Sequence, residues 1–161
     1  MVNEVSRFSR IPEISLCFPS FFLNFFWEVA QTYFYTMKDA PFNTMLYGWI
    51  HCTLGDVILT MLSFWIVSMV SRSRKWLLHW DPRTFIGFIL IGIIVTVISE
   101  LVNIHIFKSW AYNELMPLIP WIKVGLAPFL QWIVIPPAII FLVRHHLLLR
   151  EKLEDKSDRQ C

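Results

Sequence analysis

Four runs of mostly apolar residues, separated by short polar stretches, dominate the chain: about 14–37, 46–70, 85–107 and 122–143. A helix needs about 20 such residues to cross a bilayer, so each run predicts one transmembrane helix. The third is the clearest, because 85–99 carries no charge and is rich in Ile, Leu and Val. β-branched residues do not oppose a helix in lipid, where every backbone N–H must find its partner within the segment. Pro128, Pro136 and Pro137 in the fourth run predict a kinked helix. The fold class that follows is all-α: a polytopic four-helix transmembrane bundle over 1–143, with a polar tail over 144–161.

Charge orients this bundle. Eleven of the fourteen Lys and Arg residues lie in the N-terminal flank (Arg7, Arg10), the middle loop (Arg72, Arg74, Lys75, Arg83) and the tail (Arg144, Arg150, Lys152, Lys156, Arg159). The other two loops hold Lys38, Lys108 and Lys123. Positive flanks stay on the cytoplasmic side, so both termini and the middle loop are expected there. Residues 1–13 are polar and no small-residue cleavage site follows a short apolar core, so the first run is expected to persist as a span. His145 and His146 read as juxtamembrane anchors, and Trp110, Tyr112 and Trp121 fall where an aromatic belt belongs.

Composition agrees with lipid as the solvent. Apolar residues make up 56% and charged residues 16% of the 161, against about 25% charged in soluble domains, and the mean hydropathy is +0.54. A net charge of +2 gives no footprint for nucleic acid. Cys17, Cys52 and Cys161 are scattered, which fits neither a disulfide framework nor a zinc site. Glycine-rich phosphate loops, G-x-S-x-G and HExxH are absent from the sequence, so nucleotide and soluble-hydrolase chemistry is not indicated and no cofactor is called for.

The informative residues are those that lipid disfavours. A charged side chain at the bilayer centre costs at least about 2.5–3.5 kcal/mol, yet Glu28, Asp56 and Glu100 lie inside the first, second and third runs, and Gln131 inside the fourth. Counted from the outer ends, all four fall roughly 10–15 Å below the outer surface at about 1.5 Å per residue. One polar group per helix at one level predicts a shared buried site. Spacing adds faces: Asn24, Glu28, Gln31 and Tyr35 form one stripe, Cys52, Asp56, Thr60 and Ser63 a second, and Thr96, Glu100 and Asn103 a third. Glu28/Gln31 and Glu100/Asn103 share a spacing that hints at a duplicated helical hairpin.

Ser, Thr, Asn and Gln often join membrane helices by hydrogen bonds alone, and Asn24, Thr60, Ser63 and Thr96 read first in that way. Three carboxyls with no intramembrane Lys or Arg are different. Burial and mutual repulsion favour the neutral acid, so at least one is expected to hold a proton at neutral pH and the group to titrate as a unit. A protonated acid in an apolar pocket is poised as a proton donor. Metal binding is a weaker expectation. His51 and Asp56 are five residues apart, as are Glu100 and His105, which suits neither a helical chelate nor the Glu-x-x-His of di-iron bundles.

Asn24-Phe-Phe-Trp27-Glu28, followed by a short loop and a helix bearing Asp56, resembles the start of the integral membrane terpene cyclases of fungal meroterpenoid pathways. That resemblance covers about the first third of the chain. It implies intramembrane acids that protonate a polyprenyl epoxide, although those enzymes have more spans. Trp-Glu-Val-Ala-Gln (27–31), His-Cys-Thr-Leu-Gly-Asp (51–56), Trp-Ala-Tyr (110–112) and Gly-Leu-Ala-Pro-Phe-Leu-Gln-Trp (125–132) are similar to small, uncharacterised four-span bacterial membrane proteins, which implies the bacterial inner membrane and transfers no activity.

Three functions compete at this point. In the first, Glu28, Asp56 or Glu100 is the general acid or base of an intramembrane enzyme acting on a lipid-soluble, isoprenoid-like molecule. Trp27, Tyr35, Trp49, Trp110 and Tyr112 would shape its pocket and face a cation with their rings, together with Asn24, Gln31, Asn103 and Gln131. In the second, the chain is part of a carrier of protons, a metal ion or a small solute, and four spans would then require a homodimer. In the third, it is a subunit or assembly factor of a larger membrane complex, docking by its tail.

Overall fold

The computed structural model describes residues 12–74, 76–77 and 81–158. Of the residues used above, Arg7, Arg10, Lys75, Arg159 and Cys161 lie outside the described residues, as do the side chains of Arg150, Lys152 and Lys156. Four long helices stand among those described: α1 (Pro12–Gln31), α2 (Phe42–Val70), α3 (Pro82–Leu101) and α4 (Leu126–Asp158). Two 3-10 turns, Thr32–Phe34 and Thr36–Asp39, follow α1, and a π-helical turn, Val102–Phe107, prolongs α3. The described residues form no strand, only the isolated bridges Tyr35–Tyr112 and Leu118–Gly125.

Among the described residues, three helical segments, Phe42–Val70, Pro82–Phe107 and Leu126–Leu149, are long and apolar enough to cross a membrane. α1 is not among them. Its 20 residues bury a polar stripe of Ser20, Asn24, Glu28 and Gln31 below Leu16. The sequence pattern prolongs this helix to residue 37, but the α-helix stops at Gln31. The reason is distant in sequence: Asn113 takes the carbonyls of Tyr33 (2.7 Å) and Tyr35 (3.3 Å) with its side chain and that of Phe34 (3.0 Å) with its backbone N–H. The Thr36 N–H in turn donates to Ala111 O at 3.0 Å.

Local sequence sets the other ends. Asp81 caps α3 by accepting from the Arg83 N–H at 3.1 Å, with Pro82 in the first turn, where its missing N–H costs nothing. α2 ends in a Schellman motif: Ser73 N donates to Ser68 O at 3.1 Å and Arg72 N to Met69 O at 3.2 Å. Arg72 holds the left-handed position at φ 52°, which glycine usually fills.

α1 packs against α2 and α4, α2 against α3, and α3 against α4, so neighbours in the chain are neighbours in space and the ring closes between its first and last helices. Small residues allow the close approaches, as membrane helices require: a Cβ at Gly92 would collide with the Trp132 indole across α3 and α4. One end of the ring is apolar. There Leu16, Phe64, Val67, Trp76, Leu77, Phe88, Ile139 and Val143 form a buried cluster, rimmed by an ion pair between Arg74 and Glu13 that ties the α2–α3 connection to the start of α1. The other end is polar and holds the site.

Candidate functional site

At the polar end the helices enclose a partly open cavity of about 170 Å³. A cavity of roughly 150 Å³ in an apolar interior admits a benzene-sized molecule, so this one has room for a group of that size. Glu28, Asp56 and Glu100 all line it, from three different helices, with Gln131 from the fourth. The level read from the sequence is therefore a place where these side chains meet.

The carboxyls fall into two groups. Glu28 on α1 and Asp56 on α2 are close neighbours on the cavity wall. Amides hold each of them: Gln31 Nε2 donates to Glu28 Oε1 at 2.6 Å, and Gln131 Nε2 donates to Asp56 Oδ2 at 2.7 Å. The Gln131 amide also donates to Asn24 Oδ1 at 2.9 Å, and Asn24 turns its own amide back to the Ser20 carbonyl (2.8 Å) and hydroxyl (3.1 Å). Ser20 Oγ reaches Thr60 Oγ1 at 3.3 Å. One chain of hydrogen bonds thus joins α1, α2 and α4.

Glu100 stands apart, on α3. Tyr112, from the α3–α4 connection, donates to its Oε2 at 2.5 Å and accepts from the Gly125 N–H at 2.8 Å. Because the phenol oxygen already accepts one proton, its own proton is directed at the carboxyl, and Glu100 is the acceptor. Burial first, and then the Glu100 carboxyl beside it, push the Tyr112 phenol above the usual tyrosine range. Gly125 is required here, since a Cβ would lie 2.9 Å from both Tyr112 Cζ and Met116 Sδ.

Aromatic and small residues complete the walls. Tyr35, Trp49 and Trp110 line the cavity, as do Gln31, Asn103 and His51. Trp49 Nε1 donates to Thr32 Oγ1 at 2.6 Å, and Thr32 in turn donates to the Glu28 carbonyl at 2.7 Å. The connections α1–α2 and α3–α4, joined at Tyr35 and Tyr112, whose rings stand 5.3 Å apart, form its roof.

Three sequence candidates do not line the cavity. Asn24 lies one turn further along α1 and acts through Gln131. Trp27 packs against the apolar cluster and donates to Gln31 Oε1 at 3.2 Å, because one residue's offset from Glu28 turns it about 100° around the helix. Tyr112 touches Glu100 from behind. Of the two histidines, His51 is exposed at the cavity edge, stacked on Tyr47 at 5.8 Å, and His105 is exposed on the π-helical turn away from it. Among the described residues no three of His, Cys, Asp and Glu stand close enough to share a metal ion.

The shared Glu-x-x-amide spacing hides two different arrangements. Gln31 bonds Glu28, whereas Asn103 bonds the Ser99 carbonyl at 2.9 Å and accepts from Ser109 Oγ at 3.0 Å. Thr32, Gly48, Gly55, Leu59 and Ser99 also line the cavity, although none was a sequence candidate. The spacing of Gly48, Gly55 and Leu59 with Cys52 along one face of α2 is the signal available for three of these positions. No family model, curated protein or solved structure matches the chain.

Proposed function

We propose that this protein is a four-span enzyme of the bacterial inner membrane, with both ends cytoplasmic, that carries out acid–base chemistry on a lipid-soluble, isoprenoid-like molecule. In this reading α1 is the fourth span, its 20 residues reaching about 30 Å of helix. Its polar stripe is turned inward. The observation that carries the reading is the convergence of Glu28, Asp56 and Glu100 on one cavity, with no Lys or Arg among its lining residues.

The division of labour follows from how the three acids are placed. Two buried carboxyls side by side are most stable with one proton between them, so in this reading the Glu28–Asp56 pair is the acid. Glu100, which accepts from Tyr112, is the base on the facing wall. A proton passes from the pair to an oxygen or double bond of the ligand, and the cation that forms loses a proton to Glu100. The sum is a proton-neutral isomerisation or cyclisation, and no oxidant or co-reactant is needed. Trp49, Tyr35 and Trp110 present aromatic rings to the cation in between.

The likeness of Asn24 to Glu28 and of Asp56 to membrane terpene cyclases points the same way. Conduction fits less well, because the half of the molecule below the cavity is filled by Phe64, Phe88, Trp76 and Ile139. The test is a comparison of lipid extracts by mass spectrometry from cells producing the wild type or Glu28→Gln at equal membrane abundance. A lipid-soluble compound should change with the wild type alone; extracts that match, or that change equally with both, overturn the proposal.

A further inference from the structure

The paired connections roof the cavity and the apolar cluster floors it, and three of its four seams are tied. α1 and α4 are joined through Asn24 and Gln131, α1 and α2 through Ser20 and Thr60, and α3 and α4 by Trp132 seated on Gly92. The seam between α2 and α3 differs. At cavity level its two faces are Cys52, Gly55 and Leu59 on one helix and Thr96, Ser99 and Asn103 on the other. A Cβ built on Gly55 meets nothing within 4 Å. Leu54 and Ile58, on either side of Gly55 along α2, are exposed apolar side chains.

Two lining residues also hold polar atoms that the protein leaves unpaired. Thr96 is 7% exposed and its Oγ1 has no hydrogen-bond partner. The Trp110 indole N–H is buried and meets no acceptor in bonding geometry, although it lies near enough to the Glu100 carboxyl to act on it electrostatically. An indole N–H can only donate, and a buried donor left unpaired is costly. An occupant that offers an oxygen there recovers that cost.

We propose that the cavity opens sideways to the bilayer between α2 and α3, over Gly55, and takes the oxygen-bearing head of an uncharged lipid-soluble molecule. The head is small enough for about 170 Å³, its oxygen accepts from Trp110 and meets Thr96, and its apolar remainder lies out in the lipid. Gly55 sets the width of the entry. This inference rests on the membrane-spanning reading, but not on any catalytic step.

Cys52 is a free thiol on the cavity wall and reports on the route. With Cys17 and Cys161 changed to Ser and the protein reconstituted in lipid vesicles, modification of Cys52 is followed with two reagents. One is neutral and lipid-soluble, 4,4′-dithiodipyridine; the other is a charged, membrane-impermeant methanethiosulfonate. The neutral reagent should react and the charged one should not. Gly55→Leu should slow the neutral reagent by about tenfold or more, equivalent to about 1.4 kcal/mol of barrier. Ser99→Phe should do the same from the facing helix. Gly87→Leu, also in open space but away from the cavity, should change nothing. Equal labelling by the charged reagent would overturn the lateral route in favour of entry from water, and so would an unchanged rate in both Gly55→Leu and Ser99→Phe. The two-reagent comparison needs no entry variant, so it decides even if these fold poorly. A blocked entry with unchanged lipid extracts would instead count against the catalytic reading alone.

Discussion

Tyr112 donates a 2.5 Å hydrogen bond to Glu100 while accepting from the Gly125 N–H, which couples the roof of the cavity to one of its three acids. A loop residue outside the spans thereby fixes a carboxyl inside one. Tyr112→Phe removes both bonds and leaves Glu100 without this donor. It should lower stability in detergent by about 1–3 kcal/mol, measured as a fall in the thermal midpoint.

The same phenol gives a pH dependence. Burial and Glu100 raise its folded-state ionisation above the unfolded value, so the stabilisation is fully present below the ordinary tyrosine range of about 10. It is lost as pH rises beyond that range. The wild type should therefore lose stability on the alkaline side more steeply than Tyr112→Phe. Parallel curves above that range would refute the assignment.

Gln131 is the amide on which α1, α2 and α4 meet, with 2.9 and 2.7 Å bonds to Asn24 and Asp56. Gln131→Leu should cost about 1–3 kcal/mol, because both acceptors lose a buried donor. Asn24→Ala combined with it should add much less than the sum of the single changes, since neighbours in one network are not additive. Independent costs in a double-mutant cycle would show that the network does not act as a unit.

Much of the site was legible because helical periodicity is a local property. Glu28, Asp56, Glu100 and Gln131 line one cavity, and their periodicity along the helices points to that. Other features depend on contacts far along the chain. α1 ends at Gln31 because Asn113, about eighty residues away, takes the carbonyls of Tyr33, Phe34 and Tyr35 that follow it, and Tyr35 reaches the cavity from a turn rather than from a helix. Trp27 and Tyr112 show the limit of composition: an aromatic residue near an acid suggests pocket lining, but its angle around the helix, or its approach from behind, decides otherwise. The unpaired Trp110 N–H and the open space over Gly55 have no counterpart in the sequence, because each is defined by what surrounds it.

Arg72 occupies the left-handed position of the Schellman motif at φ 52°. Arg72→Gly should stabilise the protein by up to about 1 kcal/mol by relieving that conformation, seen as a higher thermal midpoint. A lower midpoint would show that the side chain is more important than the backbone here.

Topology is tested with reporter fusions. Cytoplasmic reporters should be active at both ends and after residue 72, and periplasmic reporters within 36–41 and 112–122. An active periplasmic reporter at the N-terminus would remove α1 from the spans, and with it the intramembrane setting of Glu28.

The central claim is that Glu28 and Asp56 share a proton inside the cavity. Infrared spectroscopy of the protein in lipid at neutral pH reads this directly, through the carbonyl stretch of an un-ionised carboxylic acid. The wild type should show that band, and it should shift or vanish in both Asp56→Asn and Glu28→Gln. A neutral-pH spectrum without such a band, or one that neither substitution alters, would contradict the account.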